Sequence, residues 1–179
     1  MNHRKYATIA GITLAAVVAL GCGAGSTDTG SVSDKGGSNA APAEEKSKVA
    51  KMGSGTVTFK DGLAISTKAP KKFTPAATAA GHQRGNTAVL VEVTISNGSK
   101  EPVDLALVTA TAAFGAEGTQ AESVIDVAKG ITGFEGTLAP GQKRTTKLAF
   151  SAATKDTSKI ALTVSPSFDG STALFEGSL

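Results

Sequence analysis

The sequence predicts an all-β domain, an antiparallel β-sandwich that runs from about residue 54 to the C-terminus. Three observations indicate this fold. Short segments in which apolar and polar residues alternate recur along the chain, as expected for strands that bury one face. Turn signals built on Gly, Asn and Pro separate these segments at short intervals, and no convincing helical pattern interrupts them. A closed barrel is the alternative with the same local pattern.

Eight segments are predicted as strands: residues 56–60, 63–67, 87–96, 103–112, 121–127, 143–151, 159–165 and 172–178. The first two should form a hairpin, because Asp61-Gly62 between them is the strongest short signal for a tight turn. Residues 68–75 contain two prolines, which cannot donate to a strand ladder, so this stretch is expected at a sheet edge. Residues 76–86 are predicted as a loop whose first residues could form one helical turn.

The third segment has the clearest strand pattern. Its predicted inward face consists of Val89, Val91, Val93 and Ile95. A turn around Asn97-Gly98 leads to the fourth segment, residues 103–112. The residues that share one face of that segment, if it is a continuous strand, are Val103, Leu105, Leu107 and Thr109.

The remaining elements alternate with loops. Residues 114–119 are Gly-rich, and residues 129–136 are predicted as a loop beneath which Ile131 and Phe134 can pack. Pro140-Gly141 has the signature of a type II turn. The inward residues predicted for the last three strands are Leu148, Phe150, Ile160, Leu162, Val164 and either Leu174 or Phe175.

Upstream of the domain, the chain begins like a secretion signal. Two basic residues precede an uncharged apolar segment, residues 7–20, which has the length of a signal-peptide core and is short for a membrane-spanning helix. Residues 18–22, Val-Ala-Leu-Gly-Cys, resemble the lipobox of secreted bacterial lipoproteins, although the commonest lipobox has leucine at the place of Ala19. The resemblance implies that residues 1–21 are removed by cleavage between Gly21 and Cys22, and that Cys22 carries diacylglycerol.

The alternative for Cys22 is an accidental cysteine behind an ordinary signal. It is the only cysteine of the chain and stands directly behind the apolar run, which favours lipidation. A lipid with two chains anchors a protein stably, whereas a single chain binds reversibly. We therefore predict attachment to the outer face of the cell membrane through Cys22.

Residues 22–53 are predicted to be a disordered tether between this anchor and the domain at 54–179. They are mostly Gly, Ser, Ala, Thr and charged residues, and Val32 is the only sizeable apolar residue before Val49. Such a segment cannot bury enough apolar surface to offset the entropy lost on ordering. A coil of about 30 residues spans on the order of 30 Å, which would hold the domain away from the membrane.

The charge and the aromatic content of the mature protein predict no nucleic-acid partner. Removal of residues 1–21 takes away two of the 18 basic residues and none of the 15 acidic ones, so the formal charge falls from +3 to +1. The chain has no Trp, and its single Tyr lies in the signal, so a basic groove with stacking aromatics is not expected. With Cys22 acylated, no disulfide can form within the mature chain.

Four motifs in order carry a resemblance to a known family. They are TVTFKDGL at 56–63, APKKFTP at 69–75, VTISNG at 93–98 and LAPG at 138–141. In this order they resemble actinobacterial secreted lipoproteins that carry an immunoglobulin-like domain of uncharacterised function. The resemblance implies an immunoglobulin-like sandwich outside the membrane, and it implies no catalytic residues.

Two single residues are candidates for chemistry. His82 is the only histidine after the signal; a metal site would need partners that the chain does not supply, and no nucleophile elbow supports a Ser-His-Asp triad. Asp126 lies among aliphatic residues, so it either faces solvent or is buried and hydrogen-bonded to a loop, with calcium or ligand contact as the other reading. We predict no catalytic, metal or cofactor-binding residues.

Two basic clusters are candidates for binding. They consist of Lys68, Lys71, Lys72 and of Lys143, Arg144, Lys147. They either protect sheet edges against aggregation or contact anionic lipid headgroups or wall polymers.

The sequence thus favours a membrane-anchored cell-surface lipoprotein whose sandwich binds a protein partner, a wall component or a small ligand. The alternatives are a structural accessory subunit of a membrane or cell-wall complex and an unrecognised enzyme. We expect no enzyme activity, because the residues that catalysis would need are not assembled by any motif.

Overall fold

A computed structural model describes residues 31–34, 49–153, 155–166 and 172–179. The predicted signal peptide, the cleavage site between Gly21 and Cys22, the lipidation site and most of the predicted tether lie outside the described residues.

Two sheets form the domain. The larger sheet contains β1 (Ser31–Asp34), β3 (Gly55–Thr58), β4 (Leu63–Thr67), β5 (Lys71–Lys72), β6 (Thr87–Asn97), β10 (Glu122–Val124) and β12 (Lys143–Ala152). The smaller sheet contains β2 (Val49–Lys51), β8 (Thr109–Phe114), β9 (Thr119–Gln120), β13 (Ile160–Ser165) and β14 (Ala173–Gly177). A separate pair is formed by β7 (Val103–Asp104) and β11 (Thr137–Leu138).

The order of strands in the larger sheet is β1-β3-β4-β6-β12-β10, with β5 paired to β6 beyond the end of β4. The smaller sheet has the order β2-β14-β13-β8-β9. Its pairings are antiparallel except for β2 with β14, which run parallel.

The core lies between the two sheets and confirms the predicted antiparallel sandwich. The larger sheet contributes the four predicted residues of β6 together with Val57, Ile65 and Phe150. The smaller sheet contributes Ala112, Phe114, Ile160, Leu162, Val164 and Phe175. Each buried phenylalanine removes roughly 150–250 Å² from water, so three of them supply a large part of the apolar stabilisation.

Two turn predictions are confirmed in atomic detail. At Asp61-Gly62, the Phe59 amide donates to the Leu63 carbonyl at 2.8 Å, and Gly62 adopts a positive φ of 95°. The Asp61 carboxylate accepts from the Leu63 amide, also at 2.8 Å. The Gln142 amide closes the second turn onto the Ala139 carbonyl at 3.1 Å, and φ of Gly141 is 76°, as a type II turn requires.

The prediction of a continuous strand over 103–112 was wrong. The Asp104 carboxylate accepts from the Ala106 amide at 3.0 Å and starts a 3-10 turn at Leu105–Leu107. This turn changes which side chains face the core. Leu105 and Val108 are buried, while Leu107 is 47% exposed. The strand that follows, β8, extends to Phe114, which the sequence assigned to a loop.

The predicted strand over 121–127 is also shorter than expected. It ends at Val124, and a second 3-10 turn, Val127–Lys129, follows and leaves Val127 75% exposed. The loop prediction for 129–136 is confirmed, with Ile131 buried and Phe134 packed against the core.

The predicted boundary at residue 54 falls too late in the chain. Strand β1, which pairs with β3, and strand β2, which pairs with β14, both lie inside the range predicted as a disordered tether, and Ala50 and Met52 are buried against the core. The Met52 amide also donates to the Glu176 carbonyl at 2.8 Å. Only four residues alternate here, from Val49 to Met52, which is too short a run to stand out against the small and polar residues before it.

Candidate functional site

The fold brings four of the six residues of the two basic clusters onto one sheet face. Lys147 of β12 lies directly opposite Glu92 of β6, and the Lys68 amide donates to the Glu92 carbonyl from the other side. Residues directly opposite in an antiparallel pair point to the same face. Lys68, directly after β4, and Lys147 of β12 therefore lie on either side of Glu92 on one face.

Glu92 is already paired on this face. Its carboxylate lies 2.6 Å from Lys68 Nζ and 3.2 Å from Lys71 Nζ. The hydrogen bonds from these two ammonium groups hold the pKa of Glu92 below its usual range. Within the described part of the chain, Lys147 has no ion pair of its own, so its charge remains available to a ligand.

The same face carries Lys143, opposite Ser96, and a pair of threonines, Thr94 and Thr145, whose Oγ1 atoms lie 2.7 Å apart. We call the group Lys68, Lys71, Glu92, Lys143 and Lys147 the lysine face. It holds four cations and one anion, so its net charge is positive.

Two members of the predicted clusters do not belong to this face. Arg144 lies opposite Ile95, whose side chain faces the core, and its Nη1 donates to the Glu135 carbonyl at 2.7 Å. Lys72 lies opposite Val89, which is also a core residue. Arg144 therefore fastens the loop at 130–135 beside β12.

One edge of β12 lacks a strand partner at the lysine face. Strand β10 pairs only with residues 149–151 of β12. The Asn97 amide donates to the Gln142 carbonyl, and hydrogen-bonding direction alternates along an antiparallel pair. The backbone groups of Lys143, Thr145 and Lys147 therefore point away from β6, toward the side where no described strand lies.

A polar cleft runs along this edge. It has a volume of about 330 Å³ and lies between residues 144–147 and the loop at 130–135. An apolar cavity of about 150 Å³ adjoins it at Leu148, lined by Val108, Phe134 and other core residues. Gly133 lines both spaces, so the cleft and the cavity are neighbours along β12.

Asp126 is buried and hydrogen-bonded to a loop, one of the readings that the sequence left open. Its side chain is 1% exposed, its Oδ2 accepts from the Ala76 amide at 2.7 Å, and its Oδ1 has no partner. Its backbone pairs with Ile131 through two bonds of 2.9 Å. Asp126 thereby connects the loop at 76–80 to the loop at 130–135.

Lys129, at the end of the 3-10 turn, makes a second connection, to the segment just before the loop at 76–80. Its Nζ donates to the Thr74 carbonyl and lies 5.1 Å from the centre of the Phe73 ring. Phe73 and Ala79 cover a small apolar cluster on the outer side of the larger sheet, formed by Leu90, Val124, Ile131 and Ala149. These contacts are structural, and the described residues contain no group of three or more acidic, His or Cys side chains that could hold a metal ion.

His82 has a partner that the sequence did not indicate. Its Nδ1 lies 3.1 Å from Ser151 Oγ, which also accepts from Asn86 Nδ2 at 3.2 Å and from the Gln83 amide at 3.4 Å. A hydroxyl has one donor and two acceptor sites, so this set assigns the Ser151 proton to His82 Nδ1. Ser151 is 2% exposed, and the arrangement holds the loop at 82–86 against β12.

Residues 47–173 match a sequence family described as a domain of unknown function, DUF4352. The chain belongs to this family. The match begins just before β2, in agreement with a domain that starts ahead of residue 54. No curated protein sequence matches the chain. Within the described residues, no helix is long and apolar enough to cross a membrane.

Three solved structures are similar to this chain. The yjhA protein of Bacillus subtilis has a TM-score of 0.57 at 17% identity, covering 72% of this chain and 99% of that one. MPT63, a secreted protein of Mycobacterium tuberculosis, has a TM-score of 0.53 at 18% identity, covering 74% and 97%. A proposed lipoprotein of Bacillus subtilis, ycdA, has a TM-score of 0.53 at 16% identity, covering 66% and 37%. At these identities the likeness shows the fold alone.

Proposed function

We propose that this protein is an exported lipoprotein with an immunoglobulin-like sandwich, anchored through Cys22. The sandwich binds an acidic partner at the outer face of the cell membrane. The observation that carries the proposal is the position of Lys147 opposite Glu92, a carboxylate that already pairs with Lys68 and Lys71. The lysine face therefore has cationic charge that no described residue neutralises.

Such a face attracts acidic groups before contact is made. Charges on an open sheet act over about 8–10 Å at physiological salt and raise the rate of association with an oppositely charged surface. The mature chain is close to neutral overall, so the attraction is local to the lysine face rather than a property of the whole molecule.

The apolar run that ends at Cys22 supports the anchor. Similar sandwiches occur in a secreted protein and in a proposed lipoprotein, which fits an exported module. We propose a binding role rather than catalysis. Ser151, the hydroxyl nearest His82, is buried with three partners and is not placed to attack a substrate.

The anchor is tested by Cys22→Ser in the cell of origin. We expect the variant either to leave the membrane fraction or to remain unprocessed, because the lipid and the cleavage both depend on the thiol. Membrane partitioning and mass identical to those of the parent protein would refute lipidation at Cys22.

The binding role is tested by photo-cross-linking in living cells, with a photoreactive side chain at Thr145 on the lysine face. The matched control carries it at Thr111, an exposed threonine on the outer side of the smaller sheet. We expect one predominant adduct from position 145, weakened when Lys143 and Lys147 are replaced by Glu. Equal adducts from both positions, or no adduct from position 145, would refute the proposal.

A further inference from the structure

We infer that the free edge of β12, residues 143–147, accepts an extended acidic segment of a partner protein as an additional strand. This inference rests on the proposed function and names the class of partner and its docking position. It follows from the backbone at the edge, the charges beside it and the space next to it.

The backbone supplies the first argument. The amide and carbonyl groups of Lys143, Thr145 and Lys147 point away from β6 and have no backbone partner among the described residues. Strand addition satisfies such a row with main-chain hydrogen bonds, which give affinity largely independent of sequence. An added strand would lie about 4.8 Å from β12, on the side where the polar cleft of about 330 Å³ lies.

The charges select the partner. Lys143 and Lys147 project on the same side as Thr145, and residues opposite them in an added strand would project there too. Acidic residues at those two places complement the lysines. A second copy of this chain would bring its own Lys143 and Lys147 to the same edge, and like charges directly opposite are destabilising, so self-pairing is disfavoured.

Strand β10 fixes where the segment can begin along β12. Val124 of β10 pairs with Ala149, and the next residue, Ile125, stands opposite Leu148 in the same register. The open part of the edge is therefore residues 143–147, and an antiparallel segment starts opposite Lys147. This arrangement requires one acidic residue opposite Lys147 and another four places further on, opposite Lys143.

The test is binding of the peptide amide Glu-Thr-Thr-Ser-Glu, with a free N-terminus, to the mature lipidated protein in detergent micelles, measured by calorimetry. N-methylation of the third residue, opposite Thr145, removes an amide that faces β12, and should weaken binding about tenfold or more. N-methylation of the second residue alters an amide that faces away and should change affinity less than about twofold. Equal effects of the two modifications would overturn strand addition.

Protein variants test the edge from the other side. Thr145→Pro removes an outward amide without breaking the β6 ladder, and Thr145→Val is its matched control, since both lose the contact with Thr94 Oγ1. We expect binding to be lost in the first variant and retained in the second, with thermal unfolding confirming that both fold. If Thr145→Pro does not fold, the N-methylated peptides decide the question alone.

The charges have a readout of their own. Lys143→Glu combined with Lys147→Glu should weaken binding of the peptide about tenfold or more. Unchanged peptide affinity in this double variant would overturn the proposed register. Binding of polyphosphate without any binding of the peptide would overturn strand addition, while the cross-linking test of the proposed function stands independently.

Discussion

Asp126→Ala should destabilise the domain by about 1–3 kcal/mol. Asp126 is 1% exposed, and loss of its side chain leaves the half-buried Ala76 amide without its acceptor at 2.7 Å. A donor left without its partner costs roughly 1–3 kcal/mol, and this figure already includes the lost hydrogen bond. For a domain of this size, that loss corresponds to a fall in Tm of about 4–12 °C.

A matched control exists at Asp104, whose carboxylate also accepts a backbone amide, from Ala106 at 3.0 Å, but which is exposed. Because water can replace that acceptor, Asp104→Ala should cost less than about 1 kcal/mol. Asp126→Asn keeps an oxygen for the Ala76 amide and should retain most of the stability.

Chemical denaturation gives the free energies, and amide hydrogen exchange gives the location. In Asp126→Ala we expect the Ala76 and Ala80 amides to lose protection before amides of β13, since Asp126 joins their loop to the loop at 130–135. Equal stability of the Asp126→Ala and Asp104→Ala variants, with unchanged exchange at Ala76, would refute a structural role for the buried carboxylate.

Three further predictions concern other parts of the domain. Glu92→Gln should cost less than about 1 kcal/mol at about pH 7, because the lysines that pair with it are exposed. The pKa of Glu92 is lowered in the folded state, so this contribution is present above the unfolded-state pKa and is lost as the pH falls through the folded-state pKa; the difference in stability between variant and parent should therefore shrink as denaturation is repeated at progressively more acidic pH, and a constant difference would contradict the pairing. Gly81→Ala should reduce Tm clearly, since φ is 80° and an added Cβ would lie 2.1 Å from the Ser123 carbonyl oxygen; an unchanged Tm would contradict this geometry. Ser151→Ala should release the loop at 82–86, seen as faster amide exchange there; unchanged exchange would show that the hydroxyl does not hold it.

The strands were predictable wherever one face of an element is buried throughout. Residues 63–67 and 87–96 were predicted almost to the residue, because a period of two leaves no other assignment for a one-sided core. The same rule gave a wrong prediction for residues 103–112. There the Asp104 carboxylate stabilises a 3-10 turn, which replaces part of the strand.

The candidate site could be predicted only in part. Composition indicated two basic clusters, and it left open whether they protect edges or bind a ligand. Lysines from the two clusters share one face because the register of β6 and β12 places Lys147 opposite Glu92. These two residues are far apart in the chain. Hydrophobic alternation specifies which face of each strand is buried, but it does not specify which strands are neighbours, so no local pattern could have revealed the lysine face.

The two readings of the β12 lysines are not exclusive. Lysines at an unpaired edge discourage pairing with another lysine-bearing edge, which protects the protein from its own copies. This repulsion acts only against positively charged strands. An edge that would otherwise pair with any exposed strand therefore rejects basic strands and still accepts acidic ones. If protection were the only role, filling the cleft between β12 and the loop at 130–135 would serve as well. The cleft instead stays open beside Thr145, where an acidic strand has both its hydrogen bonds and its counter-charges available.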